Sequence, residues 1–367
     1  MQKQITVGRW EAVCLLLNTV NIQIFLNLPM YIVEIAGTSG WILSIYISIL
    51  ALLIFSVVLM TFRRFPGKDI VDIASQVAGK TGQVLVGMSF SLLSFFSVSL
   101  VLREFSEDVK TIALTTSPLS YIMIFFLLGI IIATYLGFEI IIRIQGFIIP
   151  IIVMGFFIII LSVSPFIQSD NVLPIMGNGF PKIFGEGFFK VSLFIGISII
   201  YWLPPFLKTF ARFKSVSYIT LLLSGFFITI SVYTYSAIFS YPTATESFLP
   251  IYTLSRLISF GRFFQRIESL FLIIWALSAF LYLSACLYCA MYGFKRAFNL
   301  PYVKPLVIPF SILAYNAAFL PGNVMSTIEL DRFYLRTWGF VPALGIPIIL
   351  LIVAWIRGKG GRKNGVS

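Results

Sequence analysis

Asn18, Asn21, Gln23 and Asn27 interrupt a segment that is otherwise apolar, and Pro29 follows them. Roughly 175 residues further on, Gly196, Ser198, Tyr201 and Trp202 precede Pro204 and Pro205 in a second segment of the same kind. Amides and hydroxyls hydrogen-bond a carboxylate or an ammonium without bringing a charge of their own. Proline removes a backbone donor and clashes with the preceding turn, so each segment also frees carbonyls that need partners in a cavity or on another helix. The chemistry on offer is recognition of a small polar molecule. No enzyme is expected: the chain has no His, the commonest general base, and no GxSxG, HExxH or P-loop. No metal or other cofactor is expected either. Cys286-Leu-Tyr-Cys289 is a lone CxxC, and with Cys14 all three thiols fall inside apolar runs, where they read as helix-packing residues without a disulfide.

The elements that carry these residues follow from composition. Hydrophobic residues make up 59% of the 367, charged residues 11%, and the mean hydropathy is +0.99, far from a soluble domain. A bilayer-spanning helix needs about 20 mostly apolar residues. Runs of that length fall at 10 to 34, 40 to 62, 84 to 103, 119 to 137 and 144 to 164, then at 186 to 206, 216 to 240, 268 to 294, 304 to 320 and 338 to 356. Uniformly apolar runs in lipid must be helices, because no water is there to satisfy the backbone. The expected fold is therefore an all-α integral membrane protein of about ten transmembrane helices. It forms a single polytopic domain over 1 to 367, ending in a basic tail at 357 to 367. Five spans per half is an odd number, so a repeat at 10 to 164 and another at 186 to 356 insert upside down relative to each other. Their broken first and sixth spans then meet near the midplane. Ser94, Ser97 and Ser99 on the third span and Ser278, Tyr282, Ser284 and Tyr288 on the eighth are placed to complete a pocket between them.

Charge sets the orientation. With the N-terminus inside, most of the 26 basic residues fall on inner segments, among them Arg63, Arg64, Lys68, Lys80, Arg212, Lys214, Lys295, Arg296, Arg357, Lys359, Arg362 and Lys363. Both termini are expected to be cytoplasmic. The net charge of +12 then lies beside anionic lipid, and no nucleic-acid partner is implied. Intramembrane charge looks sparse. Glu34, Arg103, Glu104, Glu186, Lys190 and Glu268 lie near span ends, Arg103 with Glu107 and Glu139 with Arg143 are spaced for i,i+4 pairs, and no acid stands out as a mid-span ion site. Glu268 beside Arg262 and Arg266 reads as a salt-bridge cluster at a helix head. The stretch from Phe65 to Asp72 reads as the start of an interfacial helix. The segment 321 to 337, with Glu329, Asp331, Arg332 and Arg336, reads as an outer loop that is either a solvated surface or a contact for an external partner.

Three loop-proximal strings carry a family resemblance: Gly137-Phe-Glu139 through Arg143, Asn171-Val-Leu-Pro174 with Gly177 to Pro181, and Leu249-Pro250 through Arg256, Gly261, Arg262, Arg266 and Glu268 to Trp275. With the length and the ten spans, they resemble the B subunits of bacterial spore germinant receptors over nearly the whole chain. The resemblance implies an amino acid/polyamine/organocation transporter-like (LeuT-type) fold in the inner membrane of the spore. It also implies partnership with an A subunit and a C lipoprotein, and a small nutrient ligand such as an amino acid or a sugar. Where many amino-acid transporters of this fold carry a glycine-rich break, this chain has Asn21-Ile22-Gln23. The leading expectation is a nutrient-sensing subunit. The alternatives are a secondary amino-acid transporter and a pore-like component passing water or ions.

Overall fold

A computed structural model describes residues 7–207, 209–258 and 268–360. Among these residues, seven helices are long and apolar enough to cross a membrane. The spans missing from that count are interrupted or short. The first span is divided into α1 (Arg9–Phe25) and α2 (Leu28–Ala36) by Leu26 and Asn27, whose backbones leave the helical region. Pro29 lies in the first turn of α2, where its missing donor has no intrahelical partner to lose. From Arg9 to Asn27 the rise is about 27 Å, and from Asn27 to Ala36 about 14 Å. The break therefore lies well towards the Ala36 end of the span.

The chain continues through α3 (Gly40–Arg64), α4 (Ile70–Ile112), α5 (Leu119–Leu136), α6 (Phe138–Ser162) and α7 (Pro181–Trp202). After them come α8 (Phe210–Ile238), α9 (Pro250–Arg256), α10 (Glu268–Phe298), α11 (Val307–Ala318), α12 (Val324–Leu330) and α13 (Val341–Ile356). At 43 residues, α4 would be about 65 Å long if straight, twice the hydrocarbon thickness. Gly79 resolves this: its φ of 69° breaks the helix and sets off a short leading piece. Asp69 caps that piece by accepting the Asp72 amide at 2.8 Å, and both carboxylates pair with Arg296 at the end of α10. The helix expected to start after Phe65 is this piece. The basic tail does more there than face lipid, since Arg357 donates to the Val77 carbonyl at 2.9 Å and Lys359 to that of Gln76 at 2.8 Å.

Helix pairing is governed by small residues. The most extensive packing joins α4 to α10 and α3 to α8, so the third span meets the eighth and the second meets the seventh. A Cβ on Gly87 would sit 2.8 Å from that of Ala297, and one on Gly293 3.0 Å from the Gly87 carbonyl oxygen. Such contacts let α4 and α10 approach closely where lipid supplies no hydrophobic drive for association.

The loop carrying Asn171 to Pro181 has a structural task at the turn between α2 and α3. Asn178 donates its side-chain amide to the Ile35 carbonyl at 3.1 Å and its backbone amide to that of Ala36 at 3.1 Å. Thr38 donates to the Pro174 carbonyl at 2.6 Å. Gly177 has a φ of 37°, and a Cβ there would overlap the Ala36 carbonyl oxygen. Gly177→Ala is expected to release this clasp at a cost of about 1–3 kcal/mol. The check is the melting temperature of the detergent-solubilised protein, with Gly185→Ala, where nothing lies within 4 Å of the added methyl, as the control.

Candidate functional site

The first and sixth spans touch backbone to backbone. Gly196 on α7 has no room for a side chain against the Thr19 carbonyl, and the Thr19 hydroxyl donates to the Gly196 carbonyl at 3.1 Å. The sixth span is not broken at its prolines as the sequence suggests. Pro204 and Pro205 form the turn that ends it, while Lys190–Trp202 winds as a 3-10 helix. So long a 3-10 stretch is uncommon and marks a strained, hinge-like segment. Its rise of about 2.0 Å per residue lets 13 residues cover about 26 Å, and it stacks residues three apart into ridges.

Those ridges decide which predicted residues meet. Gly196 and Ser198, with Ile195 and Ile199, line a cavity completed by Thr19 and Gln23 of α1, Leu93, Ser94 and Ser97 of α4, and Tyr282 and Cys286 of α10. Water-sized sphere centres occupy about 20 Å³ of it, enough for about one water molecule. Gln23 is buried and its Oε1 has no hydrogen-bond partner. No charged side chain lines the cavity.

Tyr201 and Trp202 lie one 3-10 turn further on and do not reach it. Tyr201 is stacked on Phe62, with ring centroids 5.3 Å apart, and donates to the Ala343 carbonyl at 2.7 Å. Trp202 packs edge-on to Tyr292 at 5.3 Å and lines a separate small space with Phe138, Phe206 and Tyr288. Together they make an aromatic floor on the side of the N-terminus. Asn18 and Asn21 also separate from Gln23, because a period of 3.6 places them on another face of α1. Asn18 and Ser278 exchange hydrogen bonds: the serine hydroxyl donates to Oδ1 at 2.6 Å, and Nδ2 donates to the serine carbonyl at 3.1 Å. Asn21 donates to Ser224 of α8 at 3.0 Å. Ile22, between Asn21 and Gln23, is buried. Arg143 and Glu139 pair at 2.7 Å on the exposed surface of α6, Glu268 opens α10, and Arg262 and Arg266 lie outside the described residues.

The structure overturns two expectations about charge. Glu104 lies inside α4 rather than at a span end, and the segment 321 to 337 is not wholly solvated: Glu104 is 1% exposed, Asp331 3% and Arg336 0%. They meet at the break in the first span. Asn27 donates to Glu104 and accepts from Arg336 at 2.5 Å, while Arg336 also donates to Asp331 on the π-turn after α12. The Arg336 guanidinium lies 5.5 Å from the Tyr31 ring centroid, and Arg332 pairs with Glu34 at 3.0 Å. A charge is expensive in this setting, and a continuous chain of partners is what permits it. The sequence reading missed this group because partners so far apart in the chain leave no local pattern. One available signal was Asn27, polar at the point where the helix had to break.

Comparisons with known proteins agree with this architecture. By structure the chain is similar to MhsT in complex with L-phenylalanine, with a TM-score of 0.65 at 13% identity, covering 96% of this chain and 99% of that one. It is also similar to Mhp1, a nucleobase-cation-symport-1 family transporter in a closed conformation with bromovinylhydantoin bound, at a TM-score of 0.69, 14% identity, and coverage of 94% and 78%. A Na+-coupled sialic acid symporter in a substrate-bound outward-open state aligns with a TM-score of 0.62 at 14% identity, covering 97% and 91%. The fold is thus the LeuT-type transporter fold, and the protein is an integral membrane protein. In sequence the chain is 23% identical over 341 residues to spore germination protein B2 of Bacillus subtilis (strain 168), covering 92% of each. The family model for spore germination proteins matches residues 12–323, and this chain belongs to the spore germination protein family.

Proposed function

We propose that this protein is the ligand-sensing membrane subunit of a spore germinant receptor. It recognises a small uncharged or zwitterionic nutrient in the cavity between α1, α4, α7 and α10. One observation carries the reading: the buried Gln23 Oε1 is without a partner in a cavity whose other polar side chains are hydroxyls and the Cys286 thiol. An unsatisfied buried acceptor costs about 1–3 kcal/mol, which a ligand donor recovers. The cavity has room for about one water molecule, so a larger ligand enters only by moving α1 and α7 apart. Only a ligand with different affinity for the closed and opened arrangements biases the balance between them. The A subunit and the C lipoprotein read that balance. The excess of basic residues on the N-terminal side supports cytoplasmic termini, and the family supports a location in the inner membrane of the spore. The role is recognition and signalling, with no catalytic step.

A second reading, secondary transport, is favoured by one feature: Glu104 is a buried carboxylate beside the break in the first span, the kind of group that ion-coupled carriers use. Binding and uptake of a labelled amino-acid panel by the purified protein in liposomes, with and without an ion gradient, separates the two. Saturable binding without flux is expected, weakened about tenfold by Gln23→Leu, about the worth of one neutral hydrogen bond. Concentrative uptake driven by the gradient would replace the sensor with the transporter. Binding unchanged by Gln23→Leu would remove the cavity from either role.

A further inference from the structure

A second cavity lies on the other face of α1, between it, α6 and α8, and the nutrient reading makes no use of it. Its volume is about 30 Å³. Its walls are Leu17, Ile24, Phe25, Ile149, Ile152, Val153, Phe156 and Phe227, and the only polar residues among them are Asn18 and Asn21. Asn18 is held by reciprocal bonds with Ser278, so its Nδ2 and its Oδ1 each have a partner. Asn21 has one atom without. Its amide donates to the Leu17 carbonyl at 2.9 Å and to Ser224 at 3.0 Å, which fixes the orientation of the group and leaves Oδ1 as the free atom. The residue is only 8% exposed.

The site thus offers an apolar volume and one hydrogen-bond acceptor without a partner. Water fits it badly, because an ordered buried water makes about three hydrogen bonds and two asparagines, both already bonded elsewhere, are the polar residues of the lining. A pure hydrocarbon would fill the volume and leave Oδ1 unpaired. We propose that this cavity binds a small aliphatic molecule carrying a single hydroxyl, which reaches it from the bilayer and donates to Asn21 Oδ1. The surrounding surface suits that entry, since Ile151 and Met154 of α6 and Leu222 and Phe226 of α8 stand exposed as lipid-facing residues. The proposal does not depend on the nutrient reading, because the two cavities share no lining residue.

The test uses the full chain in phosphatidylethanolamine and phosphatidylglycerol liposomes with two photoreactive probes. One is octanol bearing a diazirine on its chain; the other is the same chain without the hydroxyl. Mass spectrometry then locates the labels. The octanol probe should label Leu17 to Phe25 and Ile149 to Phe156 saturably, with several-fold preference over the hydrocarbon probe and competition by unlabelled octanol. Asn21→Leu should erase that preference while leaving residual labelling by both probes. Val153→Phe, which fills the cavity and keeps the acceptor, should abolish site labelling. Circular dichroism melting of both variants accompanies the experiment, and the probe comparison on the unaltered protein stands even where a variant unfolds. Equal labelling by the two probes overturns the proposal, as does unsaturable labelling spread over the exposed faces of α6 and α8, which would report partition into lipid alone.

Discussion

Arg336→Met is expected to be the most damaging single substitution in the membrane core. Arg336 donates to Asp331 and to Asn27, and Asn27 in turn donates to Glu104, so one guanidinium holds the break in the first span to α4 and to the turn after α12. Methionine keeps much of the volume and removes the charge. Two carboxylates are then left in a setting with almost no water, and losing one partner of a buried pair costs about 3–5 kcal/mol. The expected reading is a fall in melting temperature on the order of 10 °C in detergent. The mechanism is separable from lost packing. Adding Glu104→Gln and Asp331→Asn to Arg336→Met should recover most of the loss, because neutral amides leave no uncompensated charge and a well-packed neutral core is often as stable as a buried ion pair. If the triple variant is no more stable than Arg336→Met alone, the network is a packing element and its charges are incidental.

Gly196→Ala should have the second largest effect, and on ligand recognition more than on stability. A methyl at this position overlaps the Thr19 carbonyl, so α1 and α7 must separate and the bond from the Thr19 hydroxyl to the Gly196 carbonyl is lost. Overpacking of this kind costs about 1–3 kcal/mol, partly offset by the better helix propensity of alanine, about 1 kcal/mol. The net change in melting temperature is therefore modest. Nutrient binding in liposomes should fall at least about tenfold, because the carbonyls and hydroxyls around a cavity that holds about one water move by a large fraction of its width. Gly345→Ala, where nothing lies within 4 Å of the added methyl, is the matched control and should bind as the unaltered protein does. Unchanged binding by Gly196→Ala would mean that the crossing of the first and sixth spans does not shape the ligand site.

Much of the arrangement was legible because the rules behind it act locally. Apolar runs of membrane length identify spans wherever they occur, and proline and glycine mark breaks through their own backbone restrictions. The span Gly40–Arg64 follows this logic closely, the helix Phe210–Ile238 begins ahead of its apolar run at 216, and the helix after Phe65 begins one residue beyond its capping Asp69. The candidate site was only partly legible. Gln23, Ser94, Ser97, Gly196, Ser198 and Tyr282 meet at one cavity. Asn18, Asn21 and Ser278 instead join α1 to α8 and α10, and Tyr201 and Trp202 lie in the aromatic floor. A helical projection separates Asn18 and Asn21 from Gln23, but the 3-10 winding of Lys190–Trp202 depends on its neighbours and is not written in its residues.

By itself, then, the sequence determined that this is a helical membrane protein with two irregular spans in matching positions, because hydropathy and backbone restriction are properties of short stretches of chain. Only the tertiary structure decided how the polar residues divide between two cavities on opposite faces of α1. It also placed Asp331 and Arg336 in the core. The link between Arg336 and Asn27 joins residues 309 apart in the chain, and a charge that reads as solvated in its own segment becomes buried only when distant segments supply the partners that make burial tolerable.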